Sequence, residues 1–175
     1  FVCRGRRTAE LRIAFSLRSV QQARHNLETV RRPFDEHVQH VAQQWRGQLD
    51  RIQVRGGTEA QRTTFYSSLY HSLVKPADLS GESPLWEQAP YWVDFATMWD
   101  QYKTQHPLVL TLCPERIGPM VRSFQASERA IGYIPPGLLF HDDYAKFYDQ
   151  SRVLSHVTLW DAYQHWKVLR SVKDE

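Results

Sequence analysis

The chain has 175 residues, 42% of them hydrophobic, and carries 22 Lys and Arg against 19 Asp and Glu, a formal net charge of +3. That length and apolar content suit one domain with a core. Apart from a cluster at Arg4, Arg6, Arg7 and Arg12, the cations are dispersed among acids, which argues against the concentrated basic stripe of a nucleic-acid binder.

No apolar run approaches the roughly 20 residues that span a bilayer, and no signal peptide is visible. The chain opens on Phe1 rather than Met, so a partial chain is expected and the missing signal carries little weight. Cys3 and Cys113 stand far apart, without CxxC or metal-ligand spacing. Aromatics make up 13% of the residues and include six tryptophans. Such rings suit the apolar faces of sugars, but they also fill cores.

In chain order, Leu11, Ile13, Phe15 and Leu17 alternate with Arg12, Ala14 and Ser16, the period of a half-buried strand. A lone strand leaves its ladder groups unpaired, so its partners are expected outside this sequence. Phe34, Val38, Val41, Trp45, Leu49 and Ile52 then step by three or four and predict a helix with one apolar stripe. Gly56-Gly57 breaks the chain, and Thr58 to Gln61 reads as a capping box. The helix behind it carries Phe65, Tyr66, Leu69, Tyr70 and Leu73 and stops at Pro76.

A polar loop follows from about Asp78 to Pro90. Helix is predicted again from near Asp94 to Gln105, with Phe95, Met98, Trp99 and Tyr102 as its apolar side. Pro107 and Pro114 each suit a first helical turn. Ile117, Met120, Val121 and Phe124 form another stripe that Gly132 ends, and Pro135-Pro136-Gly137 signals a turn. A last helix is predicted from about Phe147 to Trp166 through Val153, Leu154, Val157 and Trp160. One strand and about five helices of large apolar face describe part of a larger helical array rather than a closed bundle.

Several motifs in this order resemble glycoside hydrolase family 92, the calcium-dependent exo-α-mannosidases. They are Ile13-Ala14-Phe15-Ser16 with Ser19 to Glu28; Trp45; Leu49-Asp50-Arg51-Ile52-Gln53-Val54; Gln61; Phe65 to His71; Asp94-Phe95-Ala96-Thr97-Met98-Trp99-Asp100; His106-Pro107-Leu108; and Pro114-Glu115-Arg116. Lys103 in place of an arginine, Tyr133-Ile134-Pro135-Pro136 in place of a Gly-Trp-Leu-Pro run, and Leu154-Ser155-His156 in place of His-Ala-Asp mark a divergent branch.

The resemblance implies a mainly α chain, part of an (α/α)6 barrel preceded by the last strand of an N-terminal β-sandwich. Residues 1–18 would end the sandwich, 19–33 would be the linker, and 34–175 would begin the catalytic domain. It also implies inverting removal of terminal mannose from glycans, with calcium as cofactor. Inversion takes two carboxyl groups, one protonating the leaving oxygen and one activating water. By resemblance the general acid, the base and most calcium ligands lie outside this chain, in the remainder of its own polypeptide. The chain alone is therefore expected to be inactive. A periplasmic or secreted location is suggested in the same way, with no membrane or nucleic-acid partner.

Asp100 is the leading candidate for substrate binding: the resemblance implies that it lies in the sugar-binding subsite, where a carboxylate can accept two hydrogen bonds from neighbouring hydroxyls; otherwise it is a surface helical aspartate. Trp99 beside it would stack on sugar or pack in the core, and packing is the commoner fate of tryptophan. Asp94 would touch substrate or, as the plainer reading has it, cap the next helix. Asp142-Asp143, between Phe140 and Tyr144, suggests metal or acid–base work, against capping of a following helix. His37 and His40 lie i,i+3 with no evident third ligand, and no HExxH or nucleophile elbow occurs. The rival functions are another helical-barrel glycosidase, trehalase- or glucoamylase-like, and a non-catalytic helical interaction module.

Overall fold

The computed structural model describes residues 10–95, 97–138 and 153–173. The chain is mainly helical and divides into two compact units, residues 1–53 and 54–175.

In the first unit, residues 10–15 enter no strand pairing, although their alternation is that of a strand. The physical reason is the one anticipated for a lone strand: no second strand lies beside it among the described residues of the unit. Leu11, Ile13 and Phe15 are therefore open to solvent. Residues expected as linker contain helix α1 (Val20–Thr29), capped by the Ser19 hydroxyl, which accepts from the Gln22 N–H at 3.0 Å. Helix α2 (Phe34–Leu49) opens with Asp35 and Glu36 and closes with Arg46, in keeping with its dipole. Its apolar stripe is present in sequence, yet neither α1 nor α2 has a buried residue. Leu11, Ile13, Leu27, Val30, Phe34 and His37 instead line an open groove of about 290 Å³.

The second unit holds the core. Helix α3 (Glu59–Val74) begins at the predicted capping box: Thr58 Oγ1 accepts from the Gln61 N–H at 3.2 Å, and Gln61 Oε1 accepts from the Thr58 N–H at 2.9 Å. Leu69 and Leu73 are its buried residues. The chain then makes a two-residue antiparallel ladder, β1 (Ala77–Asp78) against β2 (Trp92–Val93), with Ala77 opposite Val93 and Asp78 opposite Trp92. The loop between them is folded on itself. Ser83 Oγ accepts from the Leu85 and Trp86 N–H groups, and Trp86 Nε1–H donates to the Pro90 carbonyl at 3.2 Å.

The helix predicted over 94–105 is instead two short ones, α4 (Met98–Gln101) and α5 (Gln105–Leu112). Pro107 falls in the first turn of α5, and Pro114 opens a 3-10 turn, Pro114–Arg116. Helix α6 (Ile117–Ile131) buries Ile117, Met120 and Phe124 as predicted, and it ends at Gly132 with φ 86°, a left-handed cap that glycine adopts without steric cost.

Helix α7 (Leu154–Lys173) corrects the predicted face. Of the predicted stripe only Leu154 packs against the core; Val153, Val157 and Trp160 point outward, while Ser155, Thr158 and Ala162 are buried. Small side chains on that face let α7 approach α4, α5 and α6 closely. The predicted start of this helix near Phe147, together with Phe140, Asp142, Asp143 and Tyr144, lies outside the described residues. Trp92, Phe95, Met98, Leu110, Ile117, Met120, Phe124, Leu138 and Ala162 form one apolar cluster.

Candidate functional site

The candidate residues lie on one excursion of chain, from β2 through α4 to the start of α5. Its root is tied down by backbone groups. The Trp92 N–H donates to Ser123 Oγ at 2.8 Å, and that hydroxyl donates to the Trp92 carbonyl at 3.3 Å, locking β2 to α6. The N–H groups of Asp94 and Phe95 both donate to the Leu138 carbonyl, at 2.6 and 3.0 Å. This contact needs glycine beside it, because a Cβ on Gly137 would sit 2.3 Å from the Phe95 carbonyl oxygen.

Asp94 is not a helix cap. It stands in the left-handed region at φ 72°, and α4 begins four residues later behind Thr97. Aspartate tolerates this region better than most side chains. Its carboxylate is engaged by Lys75, with Oδ2 2.9 Å from Nζ. Of the three candidates, Asp94 is thus held by a protein partner, while the other two face solvent.

Helix α4 is a single turn, and its spacing separates inside from outside. Met98 and Gln101, three apart, point inward and are buried. Trp99 and Asp100 fall on the other side and are exposed, Trp99 to 41%. Core packing was the commoner expectation for Trp99; Met98 takes that place because the turn starts at residue 98 rather than 94. Lys103 lies over the Tyr102 ring, 5.2 Å from its centre, just beyond this turn.

Two buried polar side chains, Gln101 on α4 and His106 on α5, were not singled out from sequence. His106 is 1% exposed, edge-on to Phe95 at 5.5 Å, with Nδ1 3.4 Å from Thr158 Oγ1. Burial without a compensating charge lowers its pKa from 6.5 to about 4, so the ring is neutral at pH 7. Gln101 Oε1 and His106 Nε2 have no hydrogen-bond partner among the described residues. The only advance signal was that His106 opens the apolar run Pro107-Leu108-Val109-Leu110.

Calcium takes about six to eight oxygen ligands. Among the described residues no three His, Cys, Asp or Glu side chains gather as a cation site would require. The described residues alone do not supply such a donor set. His37 and His40 remain a half-buried pair on α2.

Trp99 and Asp100 thus stand side by side on the open face of α4. Comparison with known proteins gives the family. The sequence model for the glycosyl hydrolase family 92 catalytic domain matches residues 22–165, and the chain belongs to this family. It is also similar to a protein of Arthroderma benhamiae described as an uncharacterized secreted glycosidase, with 36% identity over 64 residues. That match covers 35% of this chain and 8% of the relative's length. No helix among the described residues is long and apolar enough to cross a membrane.

Proposed function

We propose that this chain is part of the catalytic domain of an inverting, calcium-dependent α-mannosidase that removes terminal mannose from glycans, and that Trp99 and Asp100 belong to its sugar subsite. The observation that carries the reading is the exposed Trp99–Asp100 pair on a turn whose roots are buried and hydrogen-bonded. An indole face packs against the C–H face of a pyranose. A neighbouring carboxylate accepts from two adjacent hydroxyls. Side chains held on a rigid root orient a sugar without a further ordering cost.

Asp94 has a lesser part, since Lys75 already occupies its carboxylate. The general acid, the base and most of the calcium ligands are assigned to the rest of the polypeptide, so this chain alone is inactive. In this reading residues 34–175 begin an (α/α)6 barrel, residues 1–18 end a β-sandwich, and 19–33 join them. The protein acts outside the cytoplasm, a location supported by the word "secreted" in the description of the similar protein.

The test uses the complete protein and α-linked mannobiose, with mannose release measured before and after calcium removal. Release should stop with chelator and return with calcium. Asp100→Asn should lower kcat/KM by about 10- to 100-fold, the worth of hydrogen bonds to a charged acceptor. Release of glucose from α-glucosides in place of mannose would instead identify another helical-barrel glycosidase. An Asp100→Asn enzyme with unaltered kcat/KM would remove Asp100 from the subsite.

A further inference from the structure

We infer that Lys75, at the end of α3, is a positioning residue for the Trp99–Asp100 turn, holding both ends of the excursion that carries it. The inference rests on the reading of that turn as a sugar subsite.

The geometry is a clasp. The segment from Asp94 to Gln105 seats Phe95 and Met98 in the core and turns Trp99 and Asp100 outward. At its first end the Asp94 carboxylate meets Lys75 Nζ at 2.9 Å. At its second end Gln105 Nε2–H donates to the Lys75 carbonyl at 3.0 Å and to the Ser72 carbonyl at 2.9 Å. One residue thus fixes the separation of two points eleven positions apart in sequence, by its side chain on one side and its backbone on the other. Between them α4 is a single turn with few internal hydrogen bonds, seated by Met98 on its inner side, so the ends of the segment help to set the direction of its outer side.

Asp94, at φ 72° just before the turn, stands in a region that costs a non-glycine residue energy unless its surroundings hold it there. The ion pair is part of what holds it. The pair is also half-exposed, with side-chain accessibilities of 46% for Lys75 and 34% for Asp94. Pairs of that kind add little to stability. Lys75 therefore contributes the direction of the turn rather than the integrity of the fold. Small displacements of substrate-holding groups are costly to an enzyme even when the fold is intact.

The experiment is carried out on the complete protein with α-linked mannobiose, comparing Lys75→Met, Lys75→Arg, Asp94→Asn and Asp100→Asn. Lys75→Met keeps the apolar stem and the carbonyl and removes only the charge. We expect KM to rise on the order of tenfold with kcat little changed, and Lys75→Arg to restore it. Asp94→Asn, which retains tolerance of the left-handed region, should resemble Lys75→Met, and it replaces that variant should Lys75→Met not fold.

A second readout needs no substrate. Amide exchange at Asp100, Gln101 and Tyr102, whose N–H groups bond to the Thr97 and Met98 carbonyls, should quicken in Lys75→Met relative to the amides of α6. Unchanged exchange there overturns the clasp. Quicker exchange with KM unmoved in both Lys75→Met and Asp100→Asn upholds the clasp and sinks the subsite reading instead. Quicker exchange with KM unmoved in Lys75→Met but raised in Asp100→Asn overturns the positioning role itself.

Discussion

At the scale of single residues, His106 shows how burial alone sets chemistry. The folded protein depresses its pKa from 6.5 to about 4 by taking the ring out of water. The folded state therefore resists protonation that the unfolded chain accepts. The stability is fully present above pH 6.5 and is lost as pH falls from 6.5 through about 4. The loss amounts to on the order of 3 kcal/mol over that window. Urea titrations of the complete protein at pH 7.5 and pH 4.5 should display it. His106→Gln, which has no proton to gain, should flatten that part of the pH dependence. In the sequence His106 stands only as part of a motif at the head of an apolar run, a weak local mark of burial. Asp94 is a similar case. A carboxylate ahead of a predicted helix reads as a cap, and only the left-handed backbone and the Lys75 contact show that it is none.

At the scale of elements, small polar contacts fix joints that the apolar cluster by itself does not. Ser123 is buried on α6 and satisfies both the N–H and the carbonyl of Trp92. Ser123→Ala should strand both groups and cost about 1–3 kcal/mol, read as a lower urea midpoint without change in slope. An unaltered midpoint would mean that water reaches the ladder edge and satisfies it. The capping box of α3 and the glycine stop of α6 were legible in sequence because each is a local rule of spacing and dihedral freedom. The break between α4 and α5 was not. Phe95, Met98, Trp99 and Tyr102 fit a helical stripe, but the Leu138 carbonyl takes the Asp94 and Phe95 N–H groups and delays the helix to residue 98. That contact spans more than forty positions, beyond the reach of any periodicity argument.

At the scale of the whole molecule, the described surface is unusually apolar. Leu11, Ile13, Phe15, Phe34, Val153 and Trp160 are each more than 60% exposed, and α1 and α2 bury nothing. Trp160, Tyr163 and Trp166 follow one another along α7 with ring centres 5.6 and 6.0 Å apart, and each is largely open. Apolar surface of this extent drives association. The isolated chain should elute above its 20.6 kDa in size exclusion and bind a hydrophobic dye strongly. A monodisperse 20.6 kDa species with a sharp, chelator-insensitive melt would favour the helical interaction module over the enzyme.

The sequence by itself determined the helical class, the caps and breaks of α3 and α6, and the family. Each of these follows from residue type at short spacing, where propensity, capping and motif order operate. The tertiary structure alone decided which side of α7 faces inward, that Met98 rather than Trp99 enters the core, and that Lys75 holds Asp94. Those outcomes depend on which surfaces meet after the chain has folded back. A helix can present either face until a neighbour of matching size arrives, and here the close approach of α4, α5 and α6 selected the small residues Ser155, Thr158 and Ala162.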